Sequence, residues 1–126
     1  MKKTTMIVLA ALLLAACQSK HQQLQQQIEQ RKEALKQHQD SALSVSEKDV
    51  QRLDSELQVA STRYEELKRA ADVAHANGTG TAEQFQEVTL MRLKRDSLQT
   101  QFDVTCSKIK YIKKLKEADK AGEKPQ

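Results

Sequence analysis

From Leu43 onward the apolar positions recur at alternating steps of three and four: Leu43, Val50, Leu53, Leu57, Ala60, Tyr64, Leu67, Ala71 and Ala74, with Ser46 in one slot. A 3.5-residue period over four heptads predicts a helix presenting a coiled-coil seam. The pattern stops at His75–Thr81, where Asn77, Gly78 and Gly80 supply residues that tolerate positive φ. Thr79 or Thr81 can cap a following helix, with Glu83 in its first turn. A second helix is expected from about Ala82 to Ala118, directing Phe85, Val88, Met91, Leu98, Phe102, Ile109, Ile112 and Leu115 to one side. Ser46, followed by Glu47 and Asp49, also reads as a helix N-terminus, so a break or kink is expected near Ser41–Ser46.

The two apolar series fit each other. If the chain folds back near residue 79, opposing residues have numbers that total 158 or 159. The layers are then Ala74 with Phe85, Ala71 with Val88, Leu67 with Met91, Tyr64 with Arg95, and Ala60 with Leu98. They continue as Leu57 with Phe102, Leu53 with Thr105 or Cys106, Val50 with Ile109, Ser46 with Ile112, and Leu43 with Leu115. Small faces large in several layers, which lets knobs interdigitate without strain. Arg95 can lie its guanidinium on the Tyr64 ring. The expected fold is all-α: a long antiparallel two-helix coiled-coil hairpin over residues 43–118, turning at 75–81. Arms of roughly 35 residues would be about 50 Å long.

Residues 17–42 differ. Nine glutamines lie between Gln18 and Gln39, and only Leu24, Ile28 and Leu35 could form a stripe. A Gln-rich helical stalk is expected, with a disordered tether as the alternative. The tail at 119–126, with Gly122 and Pro125, is expected to fray.

At the other end, Ile7–Cys17 reads IVLAALLLAAC between MKKTTM and a very polar stretch. A membrane-spanning helix needs roughly twenty apolar residues, so this run is too short. Lys2 and Lys3 before an apolar core from Met6 to Leu14 fit an export signal. Leu14-Ala15-Ala16-Cys17 resembles the lipobox of bacterial lipoproteins, and the likeness covers the first seventeen residues. That resemblance implies removal of residues 1–16, a diacylglyceryl group on the Cys17 sulfur, and acylation of the new amino terminus. Two or three acyl chains give durable anchoring where one is marginal. Gln18, in the place where Asp tends to retain such proteins at the inner membrane, implies the outer membrane in a Gram-negative source, or the cell membrane in a Gram-positive one. An ordinary signal peptide with a chance Cys, or a buried core segment, are the competing readings.

Composition then narrows the class. Removing 16 of 126 residues leaves 110; two of the 21 basic residues leave with them, so 19 face 17 acidic ones, a net charge of +2. Tyr64, Phe85, Phe102 and Tyr111 are the only aromatics, Gly and Pro are scarce, and Ala, Gln, Glu, Lys, Leu and Arg dominate. Such a composition builds long helices rather than a thick globular core. With Cys17 lipidated, Cys106 is the remaining thiol, either a small buried hydrophobe or a link between two copies in an oxidising compartment.

Little in the sequence suggests catalysis. His21, His38 and His75 are far apart, and none has a partner at i+3 or i+4 that makes a metal pair. There is no phosphate-binding glycine loop, nucleophile elbow or HExxH, and the carboxylates interleave with Lys and Arg as on solvated helix faces. A catalytic pair needs a walled pocket to move its pKa values apart, and a two-helix hairpin is not expected to provide one. No enzyme activity, cofactor or metal is therefore expected, and export makes nucleic acid a poor partner.

Lys108, Lys110, Lys113, Lys114 and Lys116 cluster around Ile109, Tyr111, Ile112 and Leu115, which at 100° per residue share one arc while most of the lysines cover the rest. This basic amphipathic segment suits an anionic surface; a solvated face balanced by nearby acids is the alternative. The returning helix would bring these lysines back toward the hairpin's open end. Asn77-Gly78-Thr79 matches the N-glycosylation sequon, and Asp40-Ser41-Ala42 and Asp96-Ser97-Leu98 resemble the short O-glycosylation motif of Bacteroidetes. In general plan the chain resembles coiled-coil envelope lipoproteins of the Braun type. Its terminal Lys124-Pro125-Gln126 does not match the lysine which that family joins to peptidoglycan, so wall linkage is not implied. The expected role is a membrane-anchored spacer or protein-interaction arm, engaging an envelope protein or another copy of itself. An accessory subunit of an envelope transport or secretion assembly is the second reading, and a ligand-binding lipoprotein the third.

Overall fold

The computed structural model describes residues 2–122, with side chains from residue 12 onward. Two helices account for almost all of it: α1 over Lys2–Ala76 and α2 over Ala82–Gly122. The chain divides into two units, residues 1–40 and 41–126.

In the second unit the two helices pack antiparallel, as the seam periodicity predicts. Leu53, Ala60 and Leu98 form a buried cluster, with Leu57, Met91 and Phe102 packed against it. Ala71 and Ile112 are buried further along in opposite directions. Contacts at three levels fix the register. His75 meets the Phe85 ring edge-on at 5.9 Å. Arg95 lies over the Tyr64 ring at 4.3 Å. Near the other end, Lys113 Nζ is 3.7 Å from Glu47 Oε1. These pairs match the expected layers to within a residue or two along the whole length.

The core is one side chain thick. Among the described residues five hydrophobic ones are buried, two of them alanines. Small residues let the helix axes approach, and the flanking Leu57, Leu67, Val88, Met91 and Phe102 are only half-covered. Along the outer faces, Arg52 pairs with Glu56 at 2.9 Å and with Asp49 at 3.7 Å, and Arg63 pairs with Glu66 at 3.4 Å. Such exposed i,i+3 and i,i+4 pairs add little, because water and salt screen them. Stability therefore rests on the seam.

The turn is built by two interlocking caps. At the end of α1, Gly78 N–H donates to the His75 carbonyl (3.0 Å) and Thr79 N–H to the Ala74 carbonyl (2.8 Å). That pair of bonds is a Schellman motif, which requires a left-handed residue, and Gly78 has φ 72°. Gly80 is needed for closeness: a Cβ there would lie 3.3 Å from the His75 Cα and 3.4 Å from the Phe85 ring. At the start of α2, Gln84 N–H donates to Thr81 Oγ1 (3.3 Å) and Thr81 N–H donates to Gln84 Oε1 (3.2 Å). This is a capping box. Thr81 is thus the N-cap, while the Thr79 hydroxyl donates to the Ala74 carbonyl instead (3.2 Å). Gly78→Ala, which places a Cβ in the left-handed region, should destabilise the hairpin by about 1 kcal/mol, and Gly78→Asn by less. Thermal unfolding of the two variants checks this; equal midpoints for Gly78→Ala and the parent would refute the turn geometry.

Three expectations are corrected. α1 is helical through Ser41–Ser46, and Ser46, only 2% exposed, is a seam residue rather than a cap. The register places it opposite Ile112, also buried, where a small side chain is wanted. α2 continues past Ala118 to Gly122, because Ala118, Lys120 and Ala121 are good helix formers. The rest of the expected tail, 123–126, lies outside the described residues. Tyr111 is 64% exposed, so it does not share the buried arc of Ile109 and Ile112.

In the first unit, residues 17–40 are helical throughout, so the glutamine-rich stretch is a helix and not an irregular tether. Its side chains are exposed up to His38, including Leu24, Ile28 and Leu35. Glutamine is a good helix former and its amide can reach along the helix, as Gln37 does toward Glu33 Oε1 (3.5 Å).

Candidate functional site

Cys17 lies on α1 and is exposed. Leu12, Leu13 and Leu14, just before it, are also exposed. The side chains of Lys2, Lys3 and Met6, expected to belong to an export signal, lie outside the described ones. No helix is long and apolar enough to cross a membrane among the described residues. What the structure offers around Cys17 is therefore an accessible thiol next to an uncovered apolar surface.

The lysine cluster occupies the last turns of α2. Lys108, Lys110, Lys113 and Lys114 are exposed and Lys116 is half-covered. Lys113 is within 3.7 Å of Glu47 on the facing helix, and Lys116 also has a polar partner. The cluster is a true surface feature, but two of its five charges are partly met within the molecule.

Elsewhere, an open groove of about 460 Å³ runs along the hairpin's flank, lined by Ser55, Glu56, Val59, Arg63, Met91 and Lys94 among others. Glu56 is its carboxylate, and Arg52 already holds it at 2.9 Å. The Arg52 guanidinium is in turn pushed above its usual range, first by the hydrogen bond and charge of Glu56 and then by Asp49. Sign and range make this silent at ordinary pH: a cation with a raised pKa adds stability that disappears only above that pKa, in strong alkali.

The histidines are not brought together. His75 packs on Phe85 at the turn, whereas His21 and His38 are exposed in the first unit. No group of three or more His, Cys, Asp or Glu that could hold a metal ion occurs among the described residues. Cys106 is half-covered beside the seam, between the two readings of its role. The Asn77-Gly78-Thr79 sequon sits in the exposed turn. Ser97, in the middle of α2, accepts a hydrogen bond from Gln101 Nε2 at 3.4 Å.

Comparison of the chain with protein-family models, curated proteins and solved structures found no match.

Proposed function

We propose that this protein is a lipid-anchored component of a bacterial cell envelope, whose helical hairpin serves as a non-catalytic spacer or protein-interaction arm. The observation that carries the reading is the Leu14-Ala15-Ala16-Cys17 sequence closing an export signal, with Cys17 exposed. Acylation there supplies the membrane affinity. The outer membrane is the expected location, given Gln18. The hairpin supports the second half of the reading, since a one-layer seam leaves most of both helices facing solvent and available to partners. An accessory subunit of a transport or secretion assembly remains the alternative, because a hairpin is also a docking element.

Lys108, Lys110, Lys113, Lys114 and Lys116 add a second, weaker contact with anionic lipid or glycan. Each lysine near such a surface is worth about 1 kcal/mol, with Lys113 contributing less because of Glu47. Extraction of envelopes separates the two contacts. High salt should leave the chain in the membrane and detergent should release it. Replacing the five lysines by Gln should leave that outcome unchanged while abolishing salt-sensitive binding of the non-lipidated chain to anionic vesicles. Release by salt alone would replace lipid anchoring with electrostatic adsorption.

A further inference from the structure

α2 carries a second heptad series on the side away from α1. Leu90, Leu93, Ser97, Thr100, Val104, Ser107 and Tyr111 follow steps of three and four over three heptads. At 100° per residue their midline lies about 160° round the helix from the buried seam. None is charged, and all are exposed; the large ones, Leu90, Leu93, Val104 and Tyr111, are 56–64% exposed. The equivalent outer positions of α1 differ: exposed Val45, Val59 and Val73 occur there, but Lys48, Arg52, Glu66 and Arg69 interrupt them. The back of α1 therefore mixes apolar and charged positions, whereas that of α2 has an uncharged coiled-coil seam without a partner.

The flanks of that seam say what covers it. On one side stand Thr89, Asp96, Asp103 and Lys110; on the other, Glu87, Lys94, Gln101 and Lys108. In a parallel, in-register pair of coiled-coil helices, a residue on the first flank meets the residue five further on along the partner's second flank. Asp103 then meets Lys108, Asp96 meets Gln101 and Thr89 meets Lys94, each twice by symmetry, with no like charges opposed. In an antiparallel pair centred on Thr100, like flanks meet instead. Asp96 would oppose Asp103, and Lys94 would oppose Lys108. The charge pattern thus accepts a parallel copy and repels an antiparallel one.

Two further features fit. Within the chain, Asp103 has the neutral Gln99 amide as its partner at 3.0 Å, and Lys108 has no carboxylate within reach among the described residues. Both charges are left for an outside partner. The polar layers are also ready for burial: the Thr100 hydroxyl donates to the Asp96 carbonyl (3.0 Å) and Ser97 Oγ accepts from Gln101. Covering hydroxyls that already have partners costs little.

We infer that the outer face of α2 is a self-association surface, on which a second copy of this chain packs parallel and in register through Leu90, Leu93, Val104 and Tyr111. This deepens the reading of the hairpin as an interaction arm by naming its partner; the test reads pairing rather than acylation, so either can fail alone. Single cysteines are introduced into the full-length chain in its native membrane, with Cys106→Ala as background and the background's own cross-linking subtracted. Under oxidation, Leu93→Cys and Val104→Cys should each give disulfide-linked dimers, and Thr62→Cys on the back of α1 should not. Dimers formed only when Leu90→Cys and Tyr111→Cys chains are mixed would overturn the parallel arrangement. No dimers, or equal dimers from Thr62→Cys, would overturn the surface itself. In the Leu93→Cys chain, Lys108→Asp should cut dimer formation roughly tenfold, and Asp103→Lys added to it should restore the dimer. An unchanged yield in Lys108→Asp would refute the assigned charge pairs.

Discussion

Leu98→Asp is expected to abolish most of the helical signal of the hairpin. Leu98 is 7% exposed and belongs to the cluster with Leu53 and Ala60. Truncating a buried leucine costs about 2–5 kcal/mol, and placing a carboxylate without a partner in the same site costs several kcal/mol more. Small domains have about 5–15 kcal/mol in total, and a fold held by one layer of side chains belongs at the low end. The mutation therefore exceeds what the seam can lose. Leu53→Asp, at 2% exposure, should behave the same way. Leu57→Asp and Phe102→Asp, half-covered beside the cluster, should destabilise strongly but less. Lys94→Ser, on the exposed flank, should leave the melting curve within a degree or two of the parent. Circular dichroism during thermal unfolding separates these cases; a cooperative, parent-like melt for Leu98→Asp would show that the seam is not the core.

Cys17→Ser is expected to move the chain from the membrane to the soluble fraction. Serine keeps the size and polarity of the side chain but offers no thiol for diacylglyceryl transfer. Lipid attachment contributes about 0.8 kcal/mol per buried methylene, so the loss of two or three chains removes many orders of magnitude of membrane affinity. The lysine cluster alone holds only a salt-sensitive fraction. Incorporation of labelled fatty acid into the parent and into Cys17→Ser, followed by fractionation, reads both effects together. A Cys17→Ser chain that stays acylated and membrane-bound would refute the anchoring.

The hairpin was legible in the sequence because its determinants are periodic and mutually consistent. Two 3.5-residue series around a glycine-rich break left one register in which large met small, and that register placed Arg95 on Tyr64, where the structure has it. Local signals were less decisive where a seam position competed with them. Ser46 followed by two acids has the chemistry of a cap, but the seam needs a small residue opposite Ile112, and tertiary packing outweighs an internal capping preference. At the end of α2, Gly122 and Pro125 signal a stop, but the helix formers before them carry the helix to Gly122. At 100° per residue Ile109, Tyr111, Ile112 and Leu115 share one wide arc with Tyr111 at its edge; its exposure places it instead in the second 3.5-residue series of α2, with Leu90, Leu93 and Val104. For the candidate site the position is reversed. Cys17 is identified by its sequence context alone, and the structure adds only that the thiol is accessible.

The most direct measurement of the central claim is the mass of the N-terminal peptide of the chain purified from membranes of its host. The account predicts a peptide that begins at Cys17, lacks residues 1–16, and carries a diacylglyceryl group on the sulfur with or without a further acyl chain on the new amino group. A peptide that begins at Met1, or at an unmodified Cys17 or any later residue, would contradict it.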